Sequence, residues 1–151
     1  MPDSTHATRA HQIRVMELMQ TVMGKIMDAA VNHDASKLVE PEKSVFDVFT
    51  PRLKHLDYGT PAYAEALKHM KPALDHHYAN NRHHPEFHEN GIHGMDILDL
   101  IEMLADWKAA GERHTDSKGL ANSIKINAER YGYDEGFAAL LTRTAERLGW
   151  L

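Results

Sequence analysis

Seven of the twelve histidines, His69, His76, His77, His83, His84, His88 and His93, fall within 25 residues of a 151-residue chain. They alternate with other residue types, unlike an expression tag. Histidine is the commonest metal ligand and titrates near neutrality, so this density points first to metal or proton chemistry. Three stretches concentrate suitable side chains. In His33-Asp34-Ala35-Ser36-Lys37, an imidazole and a carboxylate leave adjacent backbone positions and can both reach one ion if the chain turns there. Lys37 adds a cation suited to an anionic substrate such as a phosphate. Taken alone, the same five residues also read as a polar helix-end loop.

The second stretch runs from Asp75 to His88 and holds Asn81-Arg82-His83-His84-Pro85-Glu86. His76 and His83, or His77 and His84, are seven residues apart, about 10 Å along a helix axis. Sharing an ion therefore requires the chain to fold back near Pro85. Arg82 offers a bidentate fork for phosphate. A solvated, histidine-rich helix end is the plainer alternative. The third stretch is an apolar helix in which Asp99, Glu102 and Asp106 share about 60° of arc. One acid could ligate while others orient imidazole N–H groups, or the stripe could simply face water. Trp107 is either core or a pocket wall on which a base stacks.

In combination, His33-Asp34-x-x-Lys37, a following histidine, His83-His84-x-Glu86 and Ala105-Asp106 resemble the HD-domain phosphohydrolase superfamily, most closely its two-metal phosphodiesterase branch. The longer strings Asn81-Arg82-His83-His84-Pro85-Glu86 and Glu102-Met103-Leu104-Ala105-Asp106-Trp107 resemble a small family of unknown function found in phages and bacteria. The resemblance covers about residues 11 to 110. It implies an all-helical fold and a site holding one or two divalent ions. It also implies His33, Asp34, His83, His84, Asp106 and His77 (or His76) as metal ligands, with Asp34 bridging if there are two ions. Lys37 would contact phosphate. The superfamily's earlier histidine would fall on His11, yet on one straight helix His11 lies about 33 Å from His33. Either the helix breaks near Gly24, or His11 is not a ligand and the first site is completed by His69, Glu102 or water.

The elements that must position these residues read as helices. The first is expected from Ser4 or Thr5, either as cap, to about Val31, on the spacing of Val15, Leu18, Val22, Ile26 and Ala29. Met16, Met19, Met23 and Met27 read as core filler beside that stripe. A second helix is expected from Pro41 to about Thr50, ended by Pro51 and a turn at Asp57-Tyr58-Gly59. A third starts at Thr60-Pro61 and runs to about Arg82, with Pro72 as a kink. A fourth covers about His93 to Ala110, stopped by Gly111, with a loop carrying Asp116, Ser117 and Gly119. Two more follow, about Leu120–Tyr131 and Asp134–Leu148, split by Gly132. No stretch alternates as a strand would. The expectation is one all-α domain of five to six helices over residues 1–151, HD-domain-like.

Composition narrows the function. There is no cysteine, which excludes disulfides, thiolate zinc sites, iron–sulfur clusters and a thiol nucleophile. The net charge of −5, with no basic stripe, argues against a duplex nucleic-acid binder. The start carries no signal-peptide pattern and no apolar run is long enough for a membrane, so the expected location is cytoplasmic, or host cytoplasm if phage-encoded. The leading expectation is a metal-dependent phosphohydrolase acting on a nucleotide or other small phosphoester. Lys37 and Glu86 are its catalytic candidates, and Lys37, Arg82, Asn81 and Trp107 its substrate-binding candidates. Mn, Fe, Co, Ni, Zn and Mg all suit such a donor set. The alternatives are a non-catalytic histidine-rich metal-binding module and, third, an HD-type di-iron oxygenase. Trp150-Leu151 and the Met-rich helix suit either the core or an interface in a homo-oligomer.

Overall fold

The computed structural model describes residues 3–56, 60–113 and 119–151. Among these every regular element is helical: α1 (Thr5–Asn32), α2 (Glu42–Leu53), α3 (Pro61–Asn80), α4 (Ile97–Glu112), α5 (Gly119–Tyr131) and α6 (Glu135–Arg147), with short 3₁₀ turns at Ala35–Leu38, Pro85–Phe87 and Gly91–Gly94. The protein is all-α, as its periodicity implies. The turn expected at Asp57-Tyr58-Gly59 and the loop residues Asp116 and Ser117 lie outside the described residues. The chain divides into two units, Met1–His33 and Asp34–Leu151.

The first unit is α1. Its first backbone N–H groups are capped by neither expected residue's side chain: the Asp3 carboxylate accepts from the Thr5 N–H at 2.9 Å. No α1 residue is buried, and Met16, Met19, Met23 and Met27 are each more than half exposed rather than core. Three-and-four spacing fixes which face of a helix is apolar, but not what covers that face.

In the second unit, α2 and α3 pack on one another, burying Ala66, Met70 and Ala73 of α3. The α2 helix continues through Pro51 to Leu53 instead of ending at Thr50. Pro51 falls in the last turn, where few further backbone bonds depend on the lost N–H. Thr60 caps α3, its hydroxyl accepting from the Tyr63 N–H at 3.3 Å, and Pro61 occupies the first turn, where its missing donor costs nothing. Pro72 lies within α3, which ends at Asn80.

The chain between α3 and α4 folds back in two 3₁₀ turns. Pro85 starts the first, and Gly91 supplies the left-handed backbone (φ 56) that begins the second. The α4 helix therefore starts four residues later than its periodicity suggests, at a reciprocal capping box. Asp96 accepts from the N–H groups of Leu98 and Asp99 at 2.8 and 3.0 Å, while Asp99 accepts from the Asp96 N–H at 3.1 Å. The α4–α6 core holds Met103, Leu104, Leu120, Ile124, Leu141 and Ala145, closed by Ile92 and Tyr133. The Tyr133 hydroxyl is satisfied there by the Ile124 carbonyl. Gly132, at φ 70, makes the turn between α5 and α6.

Candidate metal centre

Asp34 follows His33, the C-cap of α1, and stands in left-handed backbone (φ 58), a conformation that Asp tolerates better than most residues. A non-glycine residue held there is a form of local strain often found at functional sites. Its Oδ1 lies 3.2 Å from His77 Nε2 and 3.6 Å from His83 Nε2, while Oδ2 accepts from Lys37 Nζ at 2.6 Å. His77 comes from the last turn of α3, and His83 and His84 from the fold-back that follows. His77 Nε2 and His84 Nε2 are 3.0 Å apart. The fold-back near Pro85 thus does what the seven-residue spacing demanded. Asp34, His77, His83 and His84 each offer one donor atom, all within 4.8 Å of one another.

Two carboxylates stand behind these imidazoles. Glu42, at the start of α2, is fully buried, and its Oε2 lies 3.0 Å from His77 Nδ1. Glu102 of α4 places Oε1 3.0 Å from His83 Nδ1. A carboxylate can only accept; with the protons on the two Nδ1 atoms that face Glu42 and Glu102, each Nε2 would present its lone pair to an ion held beside Asp34. With His77 in that tautomer, the 3.0 Å contact between two Nε2 atoms is repulsive unless His84 donates or a cation lies between them. Tetrahedral ligands about 2.1 Å from an ion are about 3.4 Å apart, so small shifts would bring the four donors onto one centre. The donor set fits a divalent metal, and the carboxylate behind each imidazole is the arrangement that orients histidine ligands.

Glu42 also receives the Ser36 hydroxyl at 2.9 Å and pairs with His76 Nδ1 at 2.7 Å, so one buried acid ties the turn after Asp34 to the end of α3. Burial, reinforced by the neighbouring His83 and His77, pushes the His84 imidazole down to about 3, against the opposing pull of Asp106.

The other expected site residues divide clearly. Asn81 is buried and donates to Ser36 Oγ at 2.8 Å and to the His77 carbonyl at 2.7 Å, so it braces the centre from within. The Arg82 fork is engaged by Asp99, with Nε and Nη2 donating to its two oxygens at 2.9 and 2.8 Å, and this pairing raises the guanidinium's pKa. Glu86 accepts from Arg130 at 2.8 Å and from the Tyr131 hydroxyl at 3.3 Å. Trp107 is half-buried against the α4–α6 core, with its ring parallel to Tyr131 at 6.4 Å between centroids. Asp106 acts on His84 electrostatically but is outside the group of four donors. His33 is the C-cap of α1, just past its last helical residue, Asn32. His11 lies within α1, and His69 on α3 stacks with Phe49. Glu42 was not legible as a functional residue: it sits in a polar helix start, and only its burial marks it.

The fold and the centre define an all-helical protein whose His/Asp cluster could hold a metal ion. A sequence-family match covers residues 2–148, and the chain belongs to that family, a family of unknown function (DUF5662). No curated protein and no solved structure matches the chain. No helix among the described residues is long and apolar enough to cross a membrane.

Proposed function

We propose that the protein is a metal-dependent phosphohydrolase acting on a nucleotide or another small phosphoester. The observation that carries this reading is the convergence of Asp34 with the Nε2 atoms of His77, His83 and His84, two of them backed by carboxylates, the buried Glu42 and the partly buried Glu102. The sequence order His33-Asp34-x-x-Lys37, His83-His84 and Ala105-Asp106 adds the likeness to HD-domain phosphohydrolases, and with it His33 and Asp106 as further ligands. A bound divalent ion would acidify a water molecule and polarise the phosphoryl oxygen. Glu42 and Glu102 hold the two imidazoles in the ligating tautomer throughout. Lys37, whose Nζ lies against Asp34 and 5.1 Å from the Phe46 ring centre, can neutralise charge that grows on a phosphoryl oxygen.

The test is elemental analysis of wild type and Asp34→Ala, followed by hydrolysis assays on nucleotides and a phosphodiester with each metal in turn. One or two ions per wild-type chain, lost in Asp34→Ala together with hydrolysis, support the reading. A metal-replete wild type that cleaves no phosphoester would point instead to a non-catalytic metal-binding module.

A further inference from the structure

Granting the phosphoester reading on which it rests, the geometry points to Arg130, on α5, as the residue that captures a phosphoryl oxyanion of the substrate, by exchanging Glu86 for it. The two cations expected from sequence to meet phosphate are already paired, and Lys37, a point charge beside Asp34, adds charge at the centre but no fork. Lys37 is bound to Asp34 at 2.6 Å, and Arg82 spends both arms of its fork on the buried Asp99. Arg130 is held less tightly: its Nη2 donates to Glu86 Oε1 at 2.8 Å, an oxygen that the Tyr131 hydroxyl also shares at 3.3 Å. Arg82 and Arg130 are equally exposed, but Glu86 is 32% exposed where Asp99 is 6%, so the Glu86 pair is the one open to exchange.

Arg130 is also close to the centre. Its guanidinium interacts electrostatically with Tyr78, the Tyr78 ring packs on His84 with 4.7 Å between centroids, and its partner Glu86 is two residues from His84. One phenol ring therefore separates Arg130 from a donor of the metal centre. The guanidinium lies over the Tyr131 ring at 4.8 Å, and Tyr131 in turn lies parallel to Trp107. This ladder fixes the plane of the fork, which is what bidentate recognition of phosphate requires. Glu86 then fills the anion position when no substrate is bound, and an arriving oxyanion displaces it.

The experiment measures binding of inorganic phosphate by titration calorimetry to the full-length protein, with metal content determined for every variant. The variants are Arg130→Ala, Arg130→Lys and Glu86→Gln. Arg130→Ala is expected to weaken phosphate binding about tenfold or more at unchanged metal content, with Arg130→Lys recovering only part of it. Glu86→Gln removes the competing anion and is expected to tighten phosphate several-fold. Phosphate binding unchanged in Arg130→Ala overturns the proposal, and so does Glu86→Gln weakening it, because the pair would then be structural. Since the probe is phosphate, a protein that binds it through Arg130 yet hydrolyses nothing overturns the hydrolase reading alone.

Discussion

Two assemblies of histidine and carboxylate are built along α4, and they differ in what their polar groups face. At its N-terminal end, Asp99 is 4% exposed, yet it accepts from both arms of the Arg82 fork, from the Asp96 backbone, and lies 3.5 Å from His88 Nε2. His88 in turn donates to the Arg82 carbonyl at 2.8 Å. Charge meets opposite charge and donors meet acceptors, so the assembly is closed and holds the fold-back to the helix. About one helical turn further along, Glu102 supports His83 from behind, and the ligating sides of His83, His77, His84 and Asp34 face one another. There, Lys37 takes one oxygen of Asp34, and the other oxygen and three imidazoles converge closely enough for one cation to share them, whereas the Asp99 set has no use for one. Residue type does not distinguish the two; the direction in which each lone pair points does.

That contrast can be broken most directly at Asp34. Asp34→Ala removes a donor at the middle of the cluster and is expected to lower metal affinity by more than about 100-fold, read by competition with a chelating dye. Stripping metal from wild type should lower its thermal midpoint, by ~3–4 kcal/mol of stability if the free ion had stood at 100–1,000 times its dissociation constant. Asp34→Ala should show almost none of this shift. An equal shift in the variant would place the metal elsewhere.

Glu42→Gln and Glu102→Gln keep shape while removing the carboxylate behind an imidazole, and each should cost about 10–100-fold in metal affinity. The ¹⁵N shifts of His77 in Glu42→Gln should report loss of a single fixed tautomer, a change that a purely packing role would not produce. At the other end of α4, Asp99→Asn is expected to cost about 1–3 kcal/mol of stability, measured by urea unfolding, with metal affinity within about twofold of wild type. Metal loss in Asp99→Asn comparable to that in Glu102→Gln would erase the distinction between the two assemblies.

The smallest effect is a pH dependence. The folded state keeps His84 neutral down to about 3, while in the unfolded chain it protonates near 6.5. Between those values the unfolded state binds a proton that the folded state does not, so stability falls as pH drops from about 6.5 toward 3 and is unaffected by this group above that window. For chelated protein the slope attributable to His84 stays within the one-proton limit of ~1.4 kcal/mol per pH unit. Comparing wild type with His84→Gln between pH 7 and 5, where carboxylates contribute least, should show a shallower decline in the variant.

Much of this was legible in the chain. Thr60-Pro61 marked the start of α3, Gly132 the break between α5 and α6, and the three-and-four spacing the helices themselves. The pairing of His83 and His84 with Asp34 and His77 was visible as a clustering of ligand types, and Glu102 as an acid available to orient an imidazole. Other features were not. The start of α4 at Ile97, capped by Asp96, rather than at His93 depended on a capping box that competes with the 3₁₀ turn before it. Met16, Met19, Met23 and Met27 read as core because periodicity reports a face and not its cover. Arg82 looked like a phosphate fork because a fork fits any carboxylate or phosphate, and only the fold brought Asp99, 17 residues away, into it.

The sequence by itself determined that the chain is helical, free of thiol chemistry, and rich in donors for a hard or borderline cation. Those properties follow from residue type and local spacing, which act over one or two turns. Tertiary structure decided which donors meet. Glu42 and His77 are 35 residues apart in sequence and 3.0 Å apart in the fold, and Glu86 meets Arg130 across 44 residues at 2.8 Å. Such contacts depend on how α2 and α5 are brought beside the fold-back that follows α3, and short-range pattern carries no information about that placement.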